Sequence, residues 1–307
     1  SAHILRFAIR MLQALGPCSF CGPSPRARSE APSLGTFGLE KLQQHGPGGA
    51  FRHLQSLLDK TFLRRRSCDR KGPMPGKLRL HMAWKVVKEG EVWKQYVQRL
   101  DLMSSSLLGC PGLQPAVRTR DVGVLSGSLA SAYNECHLFH GTSWDSALGI
   151  SQKGFQPCLA GTTTQSRFGP GREVMFSRGI YLSECASKAD EYAGEVKLAS
   201  LEGKGKSATG PLLVMLLCRV LLGKVLRAKR VHGDGRPDGL LRTLESEGCH
   251  SFLGDLEATC QTYREFVVPR GDQVFPEYIL IYQRLYGPVG GPWSASAKLA
   301  RKRSRAP

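Results

Sequence analysis

Three stretches decide how this chain reads: HLFHGT at His137–Thr142, SRGIYLSECASKADEY at Ser177–Tyr192, and TYREFVVPRGDQVFPEY at Thr262–Tyr278. The first is a short apolar run that ends on His140 and Gly141, as a strand end presenting a histidine would. In the second, Gly179-Ile180 leads to Tyr181, and Ser183–Glu191 predicts a helix with Tyr192 in its last turn. The two tyrosines are spaced to sandwich a flat ring. The third opens a strand on Glu265, eleven residues before Pro276. Each group also has a plain structural reading. His140 would be satisfied by backbone, the tyrosines would be half-buried core residues, and Glu265 would pair with Arg264 or Arg270. The occurrence of all three blocks in one chain favours a shared site.

The rest of the chain bounds what that site can be. Its 307 residues are 41% hydrophobic, enough for one or two globular domains with a proper core. No apolar run approaches eighteen residues, so no membrane-spanning helix is expected and the protein should be soluble, with no membrane partner. The net charge of +18 is concentrated at the ends. Residues 1–80 hold fourteen Lys/Arg against four Asp/Glu, residues 288–307 hold five against none, and residues 81–287 are left with +3. The clusters Arg64–Arg66 with Arg70-Lys71, and Lys298 with Arg301–Arg303 and Arg305, suit a nucleic-acid partner, a nuclear address or merely solvated tails. Ten cysteines are scattered, and Cys18-Ser-Phe-Cys21 has no second pair to complete a metal site, so a reduced intracellular setting is expected, with the basic C-terminal tail favouring the nucleus over the cytoplasm. Arg6 and Arg10 among apolar residues would also suit an organelle-targeting helix.

Residues 1–75 read as a basic, partly disordered leader. A short amphipathic stretch at Ile4–Leu15 gives way to Pro/Gly/Ser-rich chain, and Leu54, Leu57, Leu58 and Phe62 predict one helix over Phe51–Leu63. A folded unit is expected over residues 76–287. It opens with a strand from Lys77 to Val87 carrying Leu78, Leu80, Met82, Trp84 and Val86 on one face, followed by a helix over Glu89–Met103. A Ser/Gly/Pro-rich loop is expected at 104–126, a short helix at Ser126–Glu135, and strands at Leu212–Val220, Tyr263–Val268 and Tyr278–Tyr286. Residues 288–307 read as a basic disordered tail. The class is mixed α+β.

Over about residues 77–287 the blocks resemble the catalytic domain of the poly(ADP-ribose) polymerases, the diphtheria-toxin-like ADP-ribosyltransferases. The resemblance implies the ADP-ribosyltransferase fold, split antiparallel β-sheets flanked by short helices. It also implies an NAD-dependent protein ADP-ribosyltransferase that uses NAD as co-substrate, modifies protein acceptors, releases nicotinamide and needs no metal. The catalytic residues would be His140, Tyr181 and Glu265. In that resemblance His140 bonds an NAD ribose hydroxyl, the Gly141 backbone pairs with the nicotinamide amide, and Tyr181 and Tyr192 stack on the pyridinium. Such stacking is worth roughly 1 kcal/mol or more when desolvated. Glu265 bonds the ribose 2′-hydroxyl and acts as base toward the acceptor, whereas nearby Glu277 reads as a structural residue of the last strand. Thr142, Gly179 and Lys188 complete the cofactor-binding set, with Arg167, and beside it Arg172, in a donor loop between Phe155 and Arg178 that would reach the pyrophosphate. Ser251 would have a structural role.

Three positions depart from the resemblance: Thr142 and Ala189 stand where serine is frequent, and Ser177 where glycine is. The missing hydroxyl at Ala189 leaves open a catalytically weak module that binds NAD or ADP-ribose. The basic flanks leave open a nucleic-acid-directed transferase, and the glutamate leaves open extension to poly(ADP-ribose).

Overall fold

The computed structural model describes residues 38–45, 49–107, 116–120, 125, 129–157, 179–196, 210–228 and 239–287. The Cys18/Cys21 pair, the Arg167 loop, Ser177 and the basic tail lie outside the described residues. In chain order the elements are β1 (Leu39–Lys41), α1 (Ala50–Lys60), β2 (Lys77–Val86), α2 (Gly90–Leu107), β3 (Glu135–Gly141), α3 (Trp144–Lys153), β4 (Ile180–Leu182), α4 (Ala186–Ala189), β5 (Glu195–Val196), β6 (Leu212–Leu221), β7 (Val225–Ala228), α5 (Gly239–Ser246), β8 (Ser251–Asp255), α6 (Leu256–Cys260), β9 (Arg264–Val268) and β10 (Val274–Leu285). This is an α+β architecture. No helix among the described residues is long and apolar enough to cross a membrane.

Two sheets divide the strands. The larger runs β1-β2-β10-β6-β3, with β5 also pairing β6, and the smaller runs β4-β9-β8-β7. They meet where Phe139 and Ser183 exchange backbone hydrogen bonds of 2.7 and 2.9 Å. Among the described residues, all but one of the strand pairs are antiparallel. The split, largely antiparallel sheets agree with the expected fold, and the one exception is β7 with β8: a long connection that includes α5 carries the chain back to the same end, as parallel neighbours require.

Every residue of β6 is buried, because the strand is central and covered on both faces. Its even-numbered residues from Leu212 to Val220 pack with α2, α3 and the inner side of the smaller sheet, while Leu213, Met215 and Leu217 pack with α1. Apolar residues at Phe51, Leu54, Leu57 and Leu58 put one face of α1 into that second core. The Thr61 hydroxyl closes the helix by donating to the Leu57 carbonyl at 2.6 Å. The residues before the expected boundary at 75 thus share a core with Leu78, Leu80 and Tyr282 that follow it.

Three expectations are corrected. The apolar residues of β2 do not share a face: Leu78 and Leu80 join the core with α1, whereas Trp84 and Val86 join the other, with Met82 packed against it. The cause is a bulge. Ile281 pairs with Met82 and Tyr282 with Leu80, so His81 is skipped and the side-chain alternation inverts. Helix α2 runs on to Leu107 through Ser104–Ser106, because Met103 and Leu107, one turn apart, are both buried. The helix expected over Ser126–Glu135 is, within the described residues, a single 3-10 turn at Ser131–Tyr133.

Candidate active site

Pairing between β3, β4 and β9 gathers the three sequence blocks. Tyr181 lies opposite Val267 on β9, two residues from Glu265. Opposed residues and their i, i+2 neighbours share a face, so Tyr181 and Glu265 project from the same side of the smaller sheet. Leu182 and Phe266 project from the other side into the main core. Gly179 precedes β4 where a Cβ would collide with the Val267 side chain, so glycine lets the chain meet β9 closely.

His140, next to the Phe139–Ser183 bridge, places Nδ1 2.9 Å from the carbonyl oxygen of Tyr181. A carbonyl only accepts, so Nδ1 carries the proton and Nε2 keeps its lone pair. Burial lowers the pKa of His140, outweighing the opposite pull of that hydrogen bond. The imidazole is therefore neutral near pH 7 and offers an acceptor. Phe155 meets the ring edge-on at 5.0 Å between centroids, which fixes its plane.

Gly141 ends β3 beneath α4. A Cβ there would overlap the Ala189 carbonyl and press on Tyr192 Cβ, so packing within the protein already requires glycine at this position. The backbone N–H of Gly194 donates to the Thr142 carbonyl at 2.9 Å, tying down the chain beyond Tyr192. The helix expected from Ser183 is confined to α4 and continues as a 3-10 turn over Asp190–Tyr192. That turn leaves Tyr192 42% exposed while Lys188 is almost fully buried.

Lys188 connects the site. Its Nζ lies 2.6 Å from Asp69 Oδ2, 3.1 Å from Glu191 Oε2, 3.2 Å from Glu265 Oε1 and 3.3 Å from the Tyr192 hydroxyl. It also sits over the Tyr192 ring, 5.0 Å from its centroid. Burial alone would favour neutral lysine, but Glu265, Tyr192, Glu191 and Asp69 outweigh it and raise the Lys188 pKa, keeping the ammonium charged. Glu265 moves the other way from a free carboxylate. Its burial raises its pKa, with the negative charges of Asp69 and Glu191 adding to the rise, and Lys188 offsets only part of it. The result is a carboxylate more basic than usual, as a proton acceptor should be. The partner is Lys188, and Arg264, which pairs with Glu184, points to the opposite side.

Glu277 lies elsewhere. It is fully buried, with Oε2 2.6 Å from His137 Nε2 and 3.2 Å from Arg219 Nε, and with Lys88 2.9 Å from Oε1. Arg219 also meets Glu135, which accepts from the Tyr96 hydroxyl at 2.6 Å. This network ties β10, β6, β3 and α2 together. Ser251 is likewise internal, donating to the Leu222 carbonyl at 2.7 Å.

Asp69 is the site residue that sequence reasoning missed. It accepts from the Tyr192 hydroxyl at 2.8 Å as well as from Lys188. It lies in a stretch without hydrophobic periodicity, among basic residues, and carries no local signal of a role.

A family model described as the poly(ADP-ribose) polymerase catalytic domain matches residues 124–284, just over half of the chain and all three blocks. The elements from β1 to α2, and Asp69, precede the matched span.

Proposed function

Because this chain belongs to the poly(ADP-ribose) polymerase catalytic-domain family, we propose that it transfers ADP-ribose from NAD to a protein side chain and releases nicotinamide. The observation that carries the reading is the common face of Tyr181 and Glu265, with His140 oriented by the Tyr181 carbonyl at 2.9 Å. The chemistry of these groups fits the substrate. A neutral imidazole accepts from a ribose hydroxyl, aromatic rings suit a cationic pyridinium, and a carboxylate suits a sugar carbon that gains positive charge.

In the proposed step the bond between ribose C1′ and the nicotinamide nitrogen breaks, and its electron pair leaves with nicotinamide. The acceptor nucleophile forms the new bond to C1′, and its proton passes to Glu265. Tyr181 and Tyr192 hold the ring flat, Gly141 offers backbone hydrogen bonds, and Thr142, Gly179, Lys188 and Arg167 complete the set that binds NAD. Both single transfer and extension to poly(ADP-ribose) are within the chemistry of a carboxylate at this place. Protein acceptors are the proposed partners, with nucleic acid reached through the basic flanks and the nucleus as the proposed compartment.

The test is incubation of the full chain with NAD labelled on its adenylate part, beside the Glu265→Gln variant, on a denaturing gel. A discrete labelled band that the variant loses by at least ~100-fold means single transfer, and a smear means polymer. Equal labelling in the variant overturns the role of Glu265. A second reading, a module that binds NAD without consuming it, is favoured by Ala189, which has no hydroxyl for the nicotinamide amide. Measurable NAD binding without label in the wild type would establish it.

A further inference from the structure

The stretch from Thr61 to Arg70 crosses the site as a strap fixed at both ends. Near its start the Leu63 N–H donates to Ser187 Oγ at 3.0 Å, and the Tyr263 hydroxyl lies 3.1 and 2.6 Å from the Leu63 and Arg65 carbonyls. At its end the Arg70 guanidinium, with its side chain only 3% exposed, meets Asp190 Oδ2 at 3.0 Å and the Ser187 carbonyl at 2.7 Å. Between them Ser67 Oγ donates to Glu191 Oε2 at 2.6 Å and accepts from the Asp69 N–H at 3.1 Å. Asp69 is thus held against α4 and the turn after it, and is not a swinging surface carboxylate.

That placement creates competition for one ammonium. Lys188 has three N–H donors and faces oxygens of Asp69, Glu191, Glu265 and Tyr192, with Asp69 nearest at 2.6 Å and Glu265 at 3.2 Å. The Tyr192 hydroxyl donates in turn to Asp69, closing a triangle of lysine, phenol and carboxylate beside the Glu265 side chain. We propose that Asp69 is a positioning residue: it draws Lys188 toward itself and pins Tyr192, leaving the Glu265 carboxylate loosely held and free to take the acceptor's proton. The proposal rests on the transferase reading above and deepens it, since it makes the base depend on chain that precedes residues 124–284, the span the family model matches.

The charged and titratable groups around Glu265 are Lys188, Glu191 and Tyr192 from α4 and its turn and Asp69 from the strap, with Arg70 behind Glu191. Loss of the Asp69 charge acts on Glu265 twice in one direction. One repelling negative charge disappears, and Lys188 is released to pair more closely with Glu265. Both make the carboxylate easier to ionise and a weaker base.

The experiment follows nicotinamide release by the full-length chain between pH 4.5 and 8 for wild type, Asp69→Asn and Asp69→Glu, and records the titration of the Glu265 carboxyl by carbon NMR, its signal identified by its loss in Glu265→Gln. In Asp69→Asn, kcat is expected to fall about tenfold. The acid limb and the carboxyl titration are both expected to move lower by about one pH unit. KM for NAD is expected to stay within about twofold, since an asparagine oxygen still accepts from Tyr192. Asp69→Glu restores the charge and is expected to return the acid limb toward wild type. An unchanged Glu265 titration in Asp69→Asn overturns the proposal, whether or not the protein is active, as does an equal effect of both substitutions. A wild-type chain that releases no nicotinamide overturns the transferase reading instead, and the NMR arm still decides whether Asp69 controls Glu265.

Discussion

Tyr181 contributes through two separate parts. Its backbone carbonyl orients His140, and its side chain shares a face with Glu265. Substitution removes only the second, because the carbonyl survives any change of side chain. Replacement by alanine should weaken NAD binding by about fivefold or more, the effect of roughly 1 kcal/mol of lost ring contact. Tyr181→Phe, which keeps the ring, should bind within about twofold of wild type. Isothermal titration calorimetry of the two variants separates these outcomes, and equal affinity in Tyr181→Ala would count against the stacking role. At Gly141 an expected role and a packing requirement are separate matters. The resemblance assigns its backbone to the nicotinamide amide, and the structure adds that a Cβ would overlap the Ala189 carbonyl. His140, Tyr181 and Glu265 were legible as types at recognisable positions in short blocks. Asp69 was not, because its partners Lys188 and Tyr192 are more than a hundred positions away in the chain and nothing local marks it.

At the scale of elements, α1 shows what amphipathic spacing reveals and what it hides. The positions Leu54, Leu57 and Leu58 announce a helix with one apolar face, and all three are buried. They do not say which surface covers that face. It is the side of the larger sheet that carries Leu78, Leu80 and Tyr282. The helix should therefore contribute to global stability: Leu58→Ala is expected to lower the unfolding free energy by about 3 kcal/mol, measured by urea denaturation. A loss below about 0.5 kcal/mol, the usual range for a surface site, would mean that α1 is not part of the cooperative unit. Strand β2 makes the complementary point. Period-two alternation is read by counting residues, and a bulge at His81 shifts that count without changing the local pattern of apolar and polar residues.

For the whole molecule, the buried ionic network around Glu277 makes stability depend on pH. Burial by itself would raise the Glu277 carboxyl, but the hydrogen bond and charge of His137, with Arg219 and Lys88, hold it well below its ordinary value of 4.5. A carboxylate depressed in the folded state adds stability that is complete above its unfolded value and is lost as pH falls toward its folded one. The unfolding free energy should therefore decline as pH drops below about 4.5. Glu277→Gln should cost about 3 kcal/mol at pH 7, because it removes the buried negative charge that His137, Arg219 and Lys88 share, and the gap to wild type should narrow toward pH 3. Thermal or urea unfolding across that range checks both slopes, and a gap that stays constant with pH would contradict the assignment.

The sequence alone determined the α+β class, most strands and helices, and which residues are candidates for the chemistry, because periodicity and short blocks are local properties of a chain. Tertiary structure alone decided which of these meet. The pairing of β4 with β9 put Tyr181 and Glu265 on one face, and the bridge from Phe139 to Ser183 brought His140 beside them. It also put Lys188, and not Arg264 or Arg270, next to Glu265, and carried Asp69 from an unremarkable basic stretch into the same cluster. Register, bulges and the pairing of buried charges depend on contacts between residues far apart in the chain, and no local pattern encodes them.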